Sequence, residues 1–472
     1  MSATSGAFDD LAANDVDNLI HPFTDLVAHR TLGPTIIVRG EGVRVYDADD
    51  NEYIEGVSGI WSASLGFSEQ RLVDAAVAQL QALPNYHAVA HRSSPPVIEL
   101  ATRLTELAPH DAAKVLFTGS GSEANDALCR VIWYVNNAQG RPEKKKVFAH
   151  DRGYHGATVW TAGLTGLSSS HQGFEGPAPL PGIVHVASPD AHQVAEPGET
   201  PDEFAIRLVD AVERRILAEG PETVAAFFAE PVLGAAGVVI PPPAYYPLLG
   251  AMLDCHDVLL VADEVITGFG RTGRLWGSEA VGLAPAACTF AKAISGGFAP
   301  IAAVTLGPQL AEPLVEQSGA LGGFNLGFTF GGHPVSAAVA NAAIDLTLQR
   351  DLPRRAAELG RALSVGLRDL MDISIVQEAR SVGLLGALDL APRRATDPEI
   401  ADARRLVAAV ASAAEAEGLF VRAAGTAVAV CPPLVITADD LEELLARLGR
   451  ALRSVAAGAH SQGSRDDDLA GR

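Results

Sequence analysis

KVLFTGSGSEANDA, residues 114–127, decides how the rest of the chain is read. An apolar run, KVLF, meets a turn of small residues, and a helical stretch follows directly. Such a strand–turn–helix presents free backbone N–H groups at the start of its helix, where an anion is favoured. Gly119, Gly121 and Ser122 let the backbone turn sharply, and the Ser122 hydroxyl adds a donor. The bland alternative is a plain strand–helix turn. A second alternative is a dinucleotide fingerprint, which Gly119-x-Gly121-x-x-Ala124 fits loosely. Gly268-x-Gly270-x-x-Gly273 fits it too. Neither match has an acid at the distance where a ribose partner is expected, and a lone glycine pattern is weak evidence.

Outward from this turn, short apolar runs alternate with helical patterns. KVLF is followed by KKVFAH, GIVHVA, VAAFFAEP, VLLVADEV, ACTFAK and IAAVTLG. Runs of this length between helices predict a mostly parallel sheet covered on both faces. Residues 36–56 alternate apolar and polar and predict antiparallel hairpins. After about Asn341 a long helix gives way to strands at VGLLGALDL and GTAVAVCPPL and a terminal helix at DDLEELLARLGRALRSV. The expected architecture is α/β. Residues 71–340 would form a large domain. Residues 1–70 and 341–458 would together build a smaller α+β domain. Residues 459–472 would be a disordered tail.

The chain has 472 residues, and its formal net charge is −22, from 35 basic and 57 acidic residues. No basic patch stands out beyond Lys144–Lys146, so neither nucleic acid nor an anionic membrane is expected as a partner. Cys129, Cys255, Cys288 and Cys431 lie far apart, without metal-ligand spacing. That fits a reducing cytoplasm rather than a disulfide framework or a zinc site. The N-terminal residues are acidic and carry no basic-plus-apolar block of a targeting segment.

Two charged residues sit where burial makes them costly. Asp263 ends the apolar run VLLVAD, and a buried carboxylate needs a partner. Lys292 closes CTFAK just before Ser295, Gly296 and Gly297. Burial disfavours its charged form, and a neutral amine can form a Schiff base. The bland readings are a buried ion pair for Asp263 and a solvated amine for Lys292. One cofactor uses a phosphate cup, a buried acid and a buried lysine together. Pyridoxal 5′-phosphate has a phosphate for the turn, an aldehyde for Lys292 and a ring nitrogen for Asp263.

The motifs SGSEAND, RGYHG, AEPV-GAAG, ADEVITGFGRTG, the lysine segment, FTFGGHPVSAAVANA and VRAAG-AVAVCPPLVIT follow one another in order. In this the chain resembles the class III aminotransferases, which are fold type I pyridoxal-phosphate enzymes like aspartate aminotransferase. The resemblance runs from about His21 to about Val455. LVDAAVAQLQALPNYH, YVNNAQGRPEKKK and EGPETVAAFFAEPVLGAAGVVIPPPAYY resemble pyruvate-using 4-aminobutyrate transaminases and ω-amino acid:pyruvate transaminases.

The resemblance implies roles. Ser120, Gly121 and Ser122 would hold the cofactor phosphate. Tyr154 would stack on the ring beside His155, and Val265 would pack on the opposite face. Glu230 would sit near the cofactor and pair with Arg422. Asp263 would meet the ring nitrogen. Lys292 would form the internal aldimine and then carry the proton in each half-reaction, through pyridoxamine phosphate. Phe328 and Thr329 would lie by the cofactor, with Thr329 reaching the phosphate of a neighbouring subunit. Trp61 would wall the substrate pocket, and Arg422 would receive a substrate carboxylate. The implied protein is a homodimer with shared sites, or a tetramer of two dimers. It would move an amino group from an ω-amino acid or related amine, such as 4-aminobutyrate or β-alanine, to pyruvate. A specialised biosynthetic aminotransferase or an aminomutase of the same family is the alternative. Leu326, Phe330 and Gly331 depart from the family pattern around Thr329, and Gly119 stands where relatives often carry Asn or Ser.

Overall fold

The computed structural model describes residues 5–174 and 180–470. The expected N-terminal hairpins form as β1 (Ile37–Glu41), β2 (Arg44–Asp47) and β3 (Glu52–Glu55), each antiparallel to the next. The seven apolar runs become β4 (Lys114–Thr118), β5 (Lys146–His150), β6 (Ile183–Val186), β7 (Val224–Ala229), β8 (Leu259–Asp263), β9 (Ala287–Phe290) and β10 (Ala302–Leu306). They pair into one sheet in the order β4-β10-β9-β8-β7-β5-β6. Only β10 runs against its neighbours, so the other six share one direction.

The sheet is buried on both sides because its strands are apolar on both sides. Every residue of β7, β9 and β10 is buried. Phe228, Val261 and Val304 face one layer with Leu128, Val131 and Ile132 of the helix Gly121–Ala138. Phe227, Leu260 and Phe290 face the other with Phe204, Leu208, Tyr245 and Leu249 of the helices Pro201–Glu219 and Tyr245–Cys255. Successive strand residues point to opposite faces, so each strand serves both layers. The α/β architecture with a mostly parallel central sheet is the expected one.

The chain ends meet in space. β11 (Glu378–Val382), β12 (Leu385–Asp389), β14 (Arg422–Ala424) and β15 (Ala427–Val430) form a second antiparallel sheet, while β13 (Leu419–Phe420) pairs in parallel with β3. An apolar cluster joins Val43, Ile54 and Leu72 to Leu363, Leu388 and Leu444. β11, β13 and β14 were not anticipated. EARSV of β11 is half-buried at every position and lies at a sheet edge, so it carries no apolar alternation to read. The last helix runs Ala438–Ala470 and so extends into the segment expected to be disordered; residues 471–472 lie outside the described residues. Among the described residues no helix is long and apolar enough to cross a membrane.

Candidate active site

The six co-directional strands end on one edge, and β4, β5, β7, β8 and β9 each release a polar segment there. Asp263 is the last residue of β8; Glu230 follows β7; Tyr154 and His155 follow β5; Lys292 follows β9; Ser120 and Gly121 follow β4. The carboxyl end of such a sheet is where open α/β folds gather their ligands. Residues spread over 173 positions of the sequence, from Ser120 to Lys292, thus converge.

The turn after β4 is built for close approach. Ser120 is the N-cap of the helix Gly121–Ala138, its Oγ accepting from the Glu123 N–H at 3.2 Å. Gly119 N–H donates to Glu123 Oε2 at 2.6 Å. A Cβ on Gly121 would lie 3.0 and 3.1 Å from the two Val265 methyls and 3.6 Å from Ala291 Cβ. The start of this helix is therefore pressed against Val265 and the residue preceding Lys292. Ser122 Oγ accepts from the Ala157 N–H at 3.1 Å, tying the turn to the loop after β5. That contact needs Gly156, whose φ is 141° and whose Cβ would stand 2.6 Å from Ser122 Oγ.

Asp263 is buried and hydrogen-bonded at both oxygens, with an Oδ1 lone pair left over. Its Oδ2 accepts from Asn125 Nδ2 at 2.8 Å and from His155 Nδ1 at 2.8 Å, and its Oδ1 from the Val265 N–H at 3.1 Å. Asn125 also donates to the His155 carbonyl at 2.7 Å and accepts from Thr289 Oγ1 at 2.9 Å. The His155 imidazole is driven down by burial but held above its ordinary range by the Asp263 carboxylate. Asn125 and Thr289 escaped sequence reasoning. The available signal was an Asn three positions after Ser122, on the helix face otherwise lined by Ala124, Ala127 and Leu128.

Glu230 is also buried. Its Oε1 accepts from the Tyr154 N–H at 2.8 Å and its Oε2 from the Gly234 N–H at 3.1 Å. Burial pushes this carboxyl up to about 7. The expected Glu230–Arg422 pair is not formed: backbone N–H groups hold the two carboxylate oxygens, and the guanidinium lies elsewhere. Arg422 instead leans over the Phe23 ring, 5.6 Å from its centroid, and makes no ion pair among the described residues. Lys292 has φ 50°, an uncommon backbone for a residue with a side chain. Burial lowers its amine to about 8, with Asp263 and Glu230 pulling upward and Arg422 downward. Burial raises the Tyr154 phenol, against the opposing charge of Arg422.

The remaining expected residues fall outside this knot. Trp61 is 5% exposed and packs with Val57, Ile266, Ala427 and Cys431. Phe328 is half-buried and Thr329 exposed on the surface of this chain, beside Phe330, which is 63% exposed. Leu326 packs against the core layer that holds Leu128, and a Cβ on Gly331 would strike the Phe117 carbonyl at 2.5 Å. The second glycine pattern is no phosphate loop. A Cβ on Gly270 would meet Pro353 at 3.3 Å, and one on Gly273 would meet Ala357 at 3.0 Å, so that segment is packed against the helix Leu352–Asp369.

The residues at the sheet edge fit a phosphorylated aldehyde with a basic ring nitrogen. An anion-binding helix start, a carboxylate held by three donors and an amine kept near neutrality lie together.

Known proteins agree. The family model described as "Aminotransferase class-III" matches residues 27–452. The mitochondrial "Gamma aminobutyrate transaminase 1" of Solanum lycopersicum is 40% identical over 437 residues, covering 92% of this chain and 84% of the relative. The ω-transaminase of Pseudomonas jessenii, solved in complex with PMP, superposes with a TM-score of 0.92 at 43% identity. That match covers 95% of this chain and 98% of the other. A structure described as a transaminase with L-ala superposes with a TM-score of 0.86 at 41% identity, covering 90% and 100%.

Proposed function

We propose, on the premise that the chain belongs to the class III aminotransferases, that its amine donor is an ω-amino acid or related primary amine and its acceptor is pyruvate. Membership makes it a pyridoxal 5′-phosphate-dependent transaminase. The donor reading is supported by the relatives described as γ-aminobutyrate transaminases and the ω-transaminase neighbours. Pyruvate is supported by the neighbour solved with L-alanine, which is what pyruvate becomes on gaining an amino group.

One observation carries the substrate reading. Arg422 has no carboxylate of its own among the described residues, yet its charge is felt at Tyr154 and Lys292. A guanidinium without a carboxylate partner, whose charge lowers the reacting amine, is a ready partner for a substrate carboxylate, which it can bind through two N–H groups. Pyruvate and an ω-amino acid each bring one.

On this reading the Ser120–Ser122 turn and the helix start hold the cofactor phosphate. Tyr154, His155 and Val265 would hold its ring, and Asp263 would pair with the ring nitrogen. Bound there, pyridoxal phosphate supplies an electron sink for the pair left when a substrate carbon loses its proton. Lys292 Nζ, lowered to about 8, accepts that proton and returns it. Asn125 and His155 keep the Asp263 carboxylate in place. Exposed Thr329 and half-buried Phe328 serve the site of a second copy, which makes the working unit a homodimer or a tetramer of two dimers. The free cysteines Cys129, Cys255, Cys288 and Cys431 support placing it in the cytoplasm.

The test is a half-reaction. The holoenzyme is mixed with 4-aminobutyrate, β-alanine or an arylalkyl amine, without acceptor, and its visible absorbance is followed. Bleaching by an ω-amino acid, reversed by pyruvate but not by 2-oxoglutarate, is the expected result. Bleaching reversed only by 2-oxoglutarate refutes the acceptor. No response to any ω-amino acid refutes the donor.

A further inference from the structure

We propose that Asp15, His21 and His29 form a divalent transition-metal site on the N-terminal segment, suited to zinc. The three donors come from three pieces of chain: the helix Ser5–Asn18, the loop after it and the helix Leu26–Leu32. His21 Nε2 lies 2.8 Å and His29 Nε2 3.0 Å from the same oxygen, Asp15 Oδ1. One candidate ligand atom from each residue lies within 4.8 Å of the other two. The imidazole centroids are 4.2 Å apart, and His29 is 8% exposed.

Two imidazoles and a carboxylate are donors that zinc accepts, at about 2.0–2.2 Å each, with water in a fourth tetrahedral position. Ligand atoms around such an ion stand roughly 3.4 Å apart. The two histidine–carboxylate separations need open by only about half an ångström to admit it. Both histidines already present the same ring nitrogen to one point. Each nitrogen would give up its proton to bind the metal, and Asp15 would exchange two hydrogen bonds for one metal bond.

The placement has a consequence for the active site. Between His21 and His29 the chain carries Phe23, at φ 56° and 74% exposed, with Arg422 over its ring. Asp25 caps the second helix by accepting from the Val27 and Ala28 N–H groups. An ion joining Asp15, His21 and His29 would hold both helices to the loop between them, and with it Phe23 above Arg422. This consequence rests on the reading of Arg422 as a substrate-carboxylate group; the metal site does not.

The experiment titrates zinc into the holoenzyme against a chromophoric chelator, in a buffer free of phosphate. Saturable binding of one ion per chain is expected, weakened at least ~100-fold in His21→Ala/His29→Ala and in Asp15→Asn. Cys255→Ser serves as control, since the exposed Cys255 beside His256 is the obvious rival ligand pair; it should bind as wild type. Zinc should also slow tryptic cleavage at the exposed Arg30 about tenfold in the wild type and not in the histidine variant. No saturable binding at about 100 μM zinc, or binding that survives His21→Ala/His29→Ala, overturns the site. Unchanged cleavage with binding intact overturns the pinning of the segment. The substrate half-reaction enters none of these readouts, so a wrong donor leaves them standing.

Discussion

Raising the pH from 6 to 9 across the cofactor-free enzyme should switch Lys292 from inert to reactive. Burial holds its amine to about 8. The neutral fraction is then about 1% at pH 6, half at pH 8 and about 90% at pH 9. An ordinary lysine, titrating near 10.4, is only about 0.4% neutral at pH 8, roughly a hundredfold less. Only the neutral amine attacks an aldehyde. The rate at which the cofactor is captured, read from its visible band, should therefore climb about tenfold per pH unit below 8 and flatten above it. Asp263 and Glu230 oppose the effect of burial, each raising the amine by its charge. Glu230→Gln should thus move the inflection to lower pH. An inflection near 10 would show that the amine is not desolvated. An upward shift in Glu230→Gln would show that the sign assigned to the carboxylate is wrong.

Three further outcomes follow from the same geometry. Glu230 is raised to about 7 in the fold, so between about pH 4.5 and 7 the folded chain holds a proton that the unfolded chain has released. Its contribution to stability falls as pH rises through that window, and the urea midpoint of Glu230→Gln should gain on wild type between pH 5 and pH 8. Asn125→Leu keeps the volume but strips donors from Asp263 and the His155 carbonyl and an acceptor from Thr289. Buried groups left without partners cost about 1–3 kcal/mol each, so urea unfolding of the cofactor-free chain should show a loss of about 3 kcal/mol or more; a loss below about 1 kcal/mol refutes the network. Gly121→Ala drives a methyl to 3.0 Å from Val265, where overpacking costs about 1–3 kcal/mol and should weaken cofactor retention on dialysis about tenfold. Val265→Ala in the same chain should restore most of the unfolding stability that Gly121→Ala costs the cofactor-free chain, and an absence of rescue there places the clash elsewhere.

What the sequence alone determined here is what local chemistry encodes. Seven apolar runs became seven strands, because a strand covered on both faces must be largely apolar on both. The turn at Gly119–Ser122, the carboxylate ending VLLVAD and the lysine ending CTFAK were legible for the same reason. The last two each pair a residue costly to bury with a segment that is certain to be buried, and the turn pairs small residues with a strand–helix junction. The tertiary structure decided who meets whom. Asn125 and Thr289 look like ordinary polar residues until the pairing of β8 with β9 sets Thr289 beside Asp263 and the helix Gly121–Ala138 places Asn125 to bond both. Glu230 was expected to reach Arg422, but its oxygens instead meet backbone N–H groups of the loops after β5 and β7. Arg422 lies over Phe23, about 400 residues away in sequence. Which partners a buried carboxylate finds is settled by which loops the fold brings against it. No pattern of residues along a chain carries that information.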